Sequence, residues 1–192
     1  MYVRDAKNRD EVWLLDHIEA MGLDETAFRS RDYVIAMDEQ TGERAGFGRI
    51  RVHKTDDEAV CELTSIGVLE SWRGQGVGAH VVERLVTTAR DKGFSVGYAL
   101  TSSPDYLAQF GFGRVSPAKL PAVLQDRQRE KQGGVDPGAV PQRIETTRFR
   151  MPPRLREAFK TARVDDEPEE PPENPEDFGI DPDDATYKYD TG

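Results

Sequence analysis

Arg73-Gly74-Gln75-Gly76-Val77-Gly78 is the stretch whose residue types and spacing most directly imply chemistry. Glycines at a helix entrance leave backbone N–H groups unpaired, and the helix dipole adds partial positive charge there. Such a turn is an anion site, and phosphate is the anion it most often holds. Gly76 and Gly78 lack Cβ atoms, so a pyrophosphate can approach the backbone closely. Arg73 sets a permanent cation beside it. Gly74, Gly76 and Ala79 also spell the dinucleotide pattern G-x-G-x-x-A, but that pattern follows its strand at once. Here five residues separate Val68 from Gly74, and the next carboxylate, Asp91, falls in the last turn of the helix. The Gly-Lys-Ser/Thr of a P-loop is missing. A purely structural glycine turn is the remaining alternative.

The elements that must position this turn can be read from periodicity. Ala59 to Val68 reads as a strand, and Leu69 to Trp72 as a turn. From Val77 a helix follows, because Val77, Val81, Leu85 and Val82, Val86, Ala89 recur at spacings of three and four. His80, Glu83, Arg84, Thr87, Arg90 and Asp91 take the other side, so His80 is expected in solvent. Upstream, Tyr2 to Arg4 reads as a short strand and Arg9 to Ala20 as a helix ended by Gly22. Asp24 to Phe28 reads as one further helical turn capped by Asp24. Tyr33 to Met37 and Ala45 to His53 read as a hairpin around Thr41-Gly42. Downstream come a strand from Phe94 to Leu100, a short helix from Asp105 to Phe110, and a strand beginning at Gly113. Lys119 to Lys131 reads as a polar helix and Gln132 to Pro141 as a loop. Arg143 to Arg150 reads as a last strand, and Pro152 to Ala162 as a closing helix with a proline in its first turn.

Ile66-Gly67-Val68 followed by Arg73-x-x-Gly76-x-Gly78 resembles the coenzyme A signature of the GNAT superfamily of N-acetyltransferases. Tyr106-Leu107-Ala108-Gln109-Phe110-Gly111-Phe112 resembles that family's second motif, a short helix ending in Gly-Phe. The resemblance covers residues 1–115 well, whereas 116–164 is atypical. It implies an α/β (α+β) fold, with a mixed, mostly antiparallel central sheet of about six or seven strands flanked by helices. It also implies acetyl-CoA as cosubstrate, no metal, and direct attack by a primary amine in a ternary complex. Pantetheine would lie between the fourth and fifth strands beside Ile66, Gly67 and Val68. The pyrophosphate would sit on the amides of Arg73, Gly74, Gln75, Gly76, Val77 and Gly78. Backbone N–H groups near the thioester would support its carbonyl oxygen.

An amine is mostly protonated at neutral pH, so a base is needed, directly or through water. Glu62 stands where some GNAT enzymes carry a strand glutamate as base. Strand alternation would put 62, 64, 66 and 68 on one face, and partial burial would raise the Glu62 pKa. Thr64 or Ser65 is the alternative, positioning a water. The family's general acid is often a second aromatic before x-x-Phe-Gly-Phe; here that position is Leu107, and Tyr106 is the candidate one residue earlier. The frequent asparagine after the fifth strand is replaced by Thr101-Ser102-Ser103. Cys61, facing away from Glu62, is expected as a small buried apolar residue. Arg29 and Arg31 are candidates for an acceptor carboxylate or for plain surface.

Of 192 residues, 36 are acidic and 26 basic, for a net charge of −10. Twelve of the acids lie in 165–192 with one lysine and five prolines, so residues 1–164 are near neutral. That composition predicts one domain over 1–164 and a disordered acidic tail over 165–192. A single cysteine excludes an intramolecular disulfide, and the three histidines lack metal-ligand spacing. No basic stripe with interleaved aromatics points to nucleic acid, and no apolar run points to a membrane. Met1 leads into Tyr2-Val3-Arg4 without an apolar signal region, so the expected location is cytoplasmic. The expected partner is an amine acceptor, either a small molecule such as an amino acid or a protein. Oligomeric state stays open, a homodimer included.

Overall fold

The computed structural model describes residues 1–164; the acidic tail expected over 165–192 lies outside them. β1 (Tyr2–Asp5), β2 (Tyr33–Met37), β3 (Arg44–Lys54), β4 (Ala59–Val68), β5 (Val96–Thr101), β6 (Gly113–Arg114) and β7 (Val140–Glu145) form one sheet. Their order is β1-β2-β3-β4-β5-β7-β6. Neighbours are antiparallel except β4 and β5, which run parallel and share one registered pair, Glu62 with Tyr98. This is the mixed, mostly antiparallel α/β architecture expected above.

Helices cover both faces. α2 (Val77–Asp91) packs on one face with Val81, Val82, Leu85, Val86 and Ala89 buried. They meet Val34, Ala36, Ile50, Cys61 and Leu63 in the largest apolar cluster. α1 (Glu11–Ala20) lies on the other face, where Leu14 and Ile18 meet Tyr33, Ile35 and Phe47. On that same face α4 (Ala122–Gln132) covers β4 and β5, and Leu124 packs with Val60 and Leu100. α3 (Pro104–Ala108) follows β5, and α5 (Pro153–Lys160) leans on the start of α2.

Four details differ from the sequence expectation. Residues 24–28 do not form a helical turn; Ala27 has φ 51°, and Arg49 donates to the carbonyls of Thr26 and Ala27 at 2.8 and 2.6 Å. β7 runs from Val140 to Glu145 instead of Arg143 to Arg150, taking in Pro141 and Gln142. His80 is buried, because Phe159 of α5 stacks on its ring at 3.8 Å. The fourth is a β-bulge in β4. Phe47 pairs with Gly67 but Arg49 pairs with Thr64, so one residue of β3 faces two of β4. Ser65 sits at the bulge with φ 50°, and its hydroxyl donates to Asp24 O at 2.6 Å. A bulge reverses side-chain alternation beyond it. Glu62 and Thr64 therefore face α4, whereas Ile66 and Val68 pack with Cys61 and Leu63 on the α2 side. The expectation that 62, 64, 66 and 68 share one face is corrected by this single extra residue.

Candidate active site

A pocket of about 890 Å³ lies at the entrance to α2. It is lined by Ile66, Gly67, Val68, Arg73, Gly74, Gly76, Val77 and Gly78, eight of the nine residues expected to hold the coenzyme. The exception is Gln75. Its side-chain amide donates to Ser71 O at 3.3 Å and Arg163 O at 2.7 Å, and its oxygen accepts from Arg163 N at 2.9 Å. Gln75 thus clasps the chain just after α5 to the glycine turn.

The glycines differ in what they do. Gly76 is the residue before α2, with φ +77°, and a Cβ there would lie 2.3 Å from the carbonyl oxygen of Leu155. Its missing side chain makes room for α5. Gly74 has φ +74° and nothing within 4 Å of a would-be Cβ, so it is the glycine that opens directly to a ligand. His80 Nδ1–H donates to Gly76 O at 2.9 Å and holds the turn from beneath. Burial lowers the His80 pKa, so this imidazole is kept neutral. Arg154, on α5, adds a second cation to the same pocket as Arg73.

The pocket continues into a second one of about 560 Å³, sharing Met21, Leu23, Ile66, Val68, Gly78, Ser103 and Tyr106 with it. This second cavity occupies the gap where β4 and β5 part. Thr64, Ser65 and Ile66 form one wall, and Leu100, Thr101 and Ser102 the other. Its charged lining groups are Asp24, Lys131 and Asp136. Asp136 accepts the N–H of Ser102 at 3.0 Å.

Glu62 is fully buried and is not on this wall. Its Oε2 accepts from His53 Nε2 at 2.8 Å and from Arg127 Nε at 3.3 Å, and its Oε1 lies 3.4 Å from Lys131 Nζ. Arg127 also pairs with Asp24. Burial by itself would raise the Glu62 pKa; the His53 hydrogen bond and the Lys131 charge outweigh it, and the net shift is downward. The expected upward shift is thereby corrected. Glu62 is the ionised centre of a buried charge cluster. Isolated buried charge is costly, and hydrogen-bonded partners are what make it tolerable.

Tyr106 lines both pockets, and its ring packs edge-on to Phe110 at 5.3 Å. Its hydroxyl lies 2.7 Å from where a Cβ on Gly78 would stand. Burial raises its pKa, keeping the phenol protonated. Leu107, at the position where the family often has its acid, is buried. Cys61 is also buried, and burial pushes its thiol up to about 12. Arg29 and Arg31 are exposed and line neither pocket.

Arg127, Lys131 and Asp24 are the site groups that sequence reasoning missed. A signal existed. Leu124, Arg127, Gln128 and Lys131 are the buried residues of α4, spaced three, four and seven apart, a core-facing helical stripe. Three of the four are polar, so hydrophobicity did not reveal it.

The comparisons with known proteins agree with this geometry. The model of the acetyltransferase (GNAT) family matches residues 3–112, more than half of the chain. The Rv2747 protein of Mycobacterium tuberculosis, solved in complex with CoA, is similar in structure at a TM-score of 0.61 and 17% identity, over 76% of this chain and 99% of that one. The N-acetylglutamate synthase of Neisseria gonorrhoeae, solved with coenzyme A and N-acetyl-glutamate, matches at a TM-score of 0.61 and 18% identity. That match covers 75% of this chain but 34% of that one, so this chain spans about a third of that protein. A signature glycine turn at the start of α2, a parted β4 and β5, and a family model spanning both lead to one statement: the chain belongs to the GNAT family of acetyltransferases.

Proposed function

We propose that this protein is an acetyl-CoA-dependent N-acetyltransferase that moves an acetyl group to a primary amine by direct attack in a ternary complex. The observation that carries this reading is the continuity of the two pockets. One end offers glycine amides, the α2 N-terminus, Arg73 and Arg154 to phosphates; the other opens between β4 and β5 beside buried polar groups. CoA carries both kinds of moiety, phosphates at one end and a thioester arm at the other. The solved neighbours crystallised with CoA support it as the cosubstrate here.

Glu62 acts at one remove in this proposal. It stays ionised, and Thr64 on the cavity wall positions the water through which the acceptor's proton leaves. Tyr106 protonates the departing thiolate, its hydroxyl being the phenol that lies in both pockets. The acceptor is a small amine or an amino acid. A second reading has a specific basis: Leu107 holds the usual acid position and Glu62 lies off the cavity wall, as in a module that binds CoA without turnover. A protein amine is the further acceptor class. Thiol release from acetyl-CoA, screened against amino acids, polyamines and peptide amines, tests all of these. Release with one acceptor class above hydrolysis supports the transferase. Tight CoA binding with no release across the panel supports the binding module.

A further inference from the structure

We propose that Lys131 takes the place of strand pairing where β4 and β5 separate, and so holds the cleft in the width that receives the thioester arm of CoA. β4 and β5 are parallel and paired only at Glu62 and Tyr98. Two residues further along each strand stand Thr64 and Leu100, where the next step of a parallel ladder would fall. Between them lies the Lys131 ammonium instead. Nζ donates to Thr64 Oγ1 at 2.9 Å on one strand and to Leu100 O at 3.1 Å on the other. Its third contact is Glu62 Oε1 at 3.4 Å, on the β4 residue that makes the last pair. Two hydrogen bonds and one ion pair thus tie the ammonium to both sides of the split.

The position of this group matters. Lys131 is buried, yet it lines the cavity, and the residues beyond it on each strand form the two walls. Strands that part leave backbone groups without partners, and a buried carbonyl without a donor is costly. Lys131 satisfies Leu100 O from the floor of the cleft, so the walls need not close on one another. The supply comes from α4, in the segment between β6 and β7 that the family signature does not reach. Arg127, one turn earlier on the same helix, anchors α4 to Glu62 and Asp24. Lys131 is therefore a positioning residue, acting on the ligand through the strands.

The inference rests on the coenzyme A reading above, and binding of CoA and of adenosine 3′,5′-diphosphate by calorimetry separates the two. Adenosine 3′,5′-diphosphate is the nucleotide end of CoA without the arm and without the one phosphate that joins the arm to it. Lys131→Met should bind CoA about 10- to 100-fold more weakly, the worth of a hydrogen-bonded charge, and bind the diphosphate as the wild type does. Lys131→Arg, which can still donate to both strands, should recover most of the CoA affinity. Thr64→Val, which leaves the charges alone, should give a smaller loss of about threefold in the same direction. If Lys131→Met does not fold, Glu62→Gln with Lys131→Met removes both charges together and carries the same expectation. Unchanged CoA affinity, or an equal loss for CoA and the diphosphate, would overturn the proposal. A wild type that binds neither molecule would sink the coenzyme reading itself.

Discussion

The two ends of the cleft are built on different principles. The end at the start of α2, proposed above for the phosphates, is built mainly from one stretch, residues 66–78, with Arg154 and Leu155 of α5 beside it, and works largely through backbone: amide groups, missing Cβ atoms and a helix start. The end between β4 and β5 is backed by side chains far apart in sequence. Asp24, His53, Glu62, Thr64, Arg127 and Lys131 converge there as buried, mutually bonded groups. Contiguous backbone chemistry tolerates surface change but not a change of glycine. A buried charge cluster tolerates changes in the backbone around it but not the loss of one partner.

The sharpest way to break this contrast is Glu62→Gln. It keeps the shape but leaves Arg127 and Lys131 without their carboxylate, so kcat should fall by about 10- to 100-fold through the displaced Thr64 and its water, while affinity for adenosine 3′,5′-diphosphate stays unchanged. The acidic limb of the pH–rate profile, expected below the ordinary carboxylate range from the lowered Glu62 pKa, should vanish in the variant. Near-normal kcat with an unchanged profile would remove Glu62 from the chemistry.

A glycine pair sharpens the other side. Gly76→Ala should destabilise the fold by roughly 3 kcal/mol or more, because it combines a positive φ with a backbone collision at Leu155 O. Denaturant unfolding measures it. Gly74→Asp has open space around it but shares the positive φ, so it should cost only about 1 kcal/mol of stability. It should nevertheless lose most of the acetyl-CoA-induced rise in Tm, since its carboxylate faces the phosphates. Equal behaviour of the two variants would show that the turn does not divide its glycines as described.

Asp10 offers a buried acid outside the cleft for comparison with Glu62. It is held by Arg4 at 2.7 Å and by Arg44 at 2.9 Å, and Arg4 above all keeps its carboxyl far below the usual range. A lowered folded pKa means that the stabilisation is complete above the unfolded value near ~3.9 and fades as pH falls toward the folded value. Asp10→Asn should cost about 1.5–3 kcal/mol at neutral pH, and the gap in Tm from the wild type should narrow steadily below pH ~4. A gap that is constant with pH would mean that the ion pairs contribute nothing. The smallest effect is expected from removing residues 165–192. Their acidic, proline-rich composition offers little apolar surface to bury, so Tm and CoA affinity should barely move, although net charge goes from −10 to +1. A large fall in either would show that the tail supports the cleft.

Much of the frame was legible in residue patterns. β4 has the bounds expected from its apolar run, and α2 begins at the Val77 expected from three-four spacing. The misses have physical causes. Pro141 reads as a loop signal, yet it sits near the start of β7. His80 reads as solvent-facing because its helix side is polar, yet the remote Phe159 stacks on it. Asp24 reads as a helix cap, but its carboxylate serves Arg127, more than a hundred residues away. Lys131 sits on a correct helical stripe made of the wrong residue types, and no local pattern announces a buried cation.

The bulge at Ser65 has a consequence for how this strand can change. It is a phase slip: two short strands with opposite orientation rules are spliced into one. On its amino side, even-numbered positions carry the charged apparatus and odd-numbered ones the oil; on its carboxyl side the parities trade places. Each half is therefore free to vary under its own pattern. Deleting the single residue Ser65 would close the slip, setting Ile66 alone opposite Gly48 and leaving Ile66, Gly67 and Val68 on the sides they already hold; the strand would lose its hydroxyl tie to Asp24 O and its local bend, not its addressing.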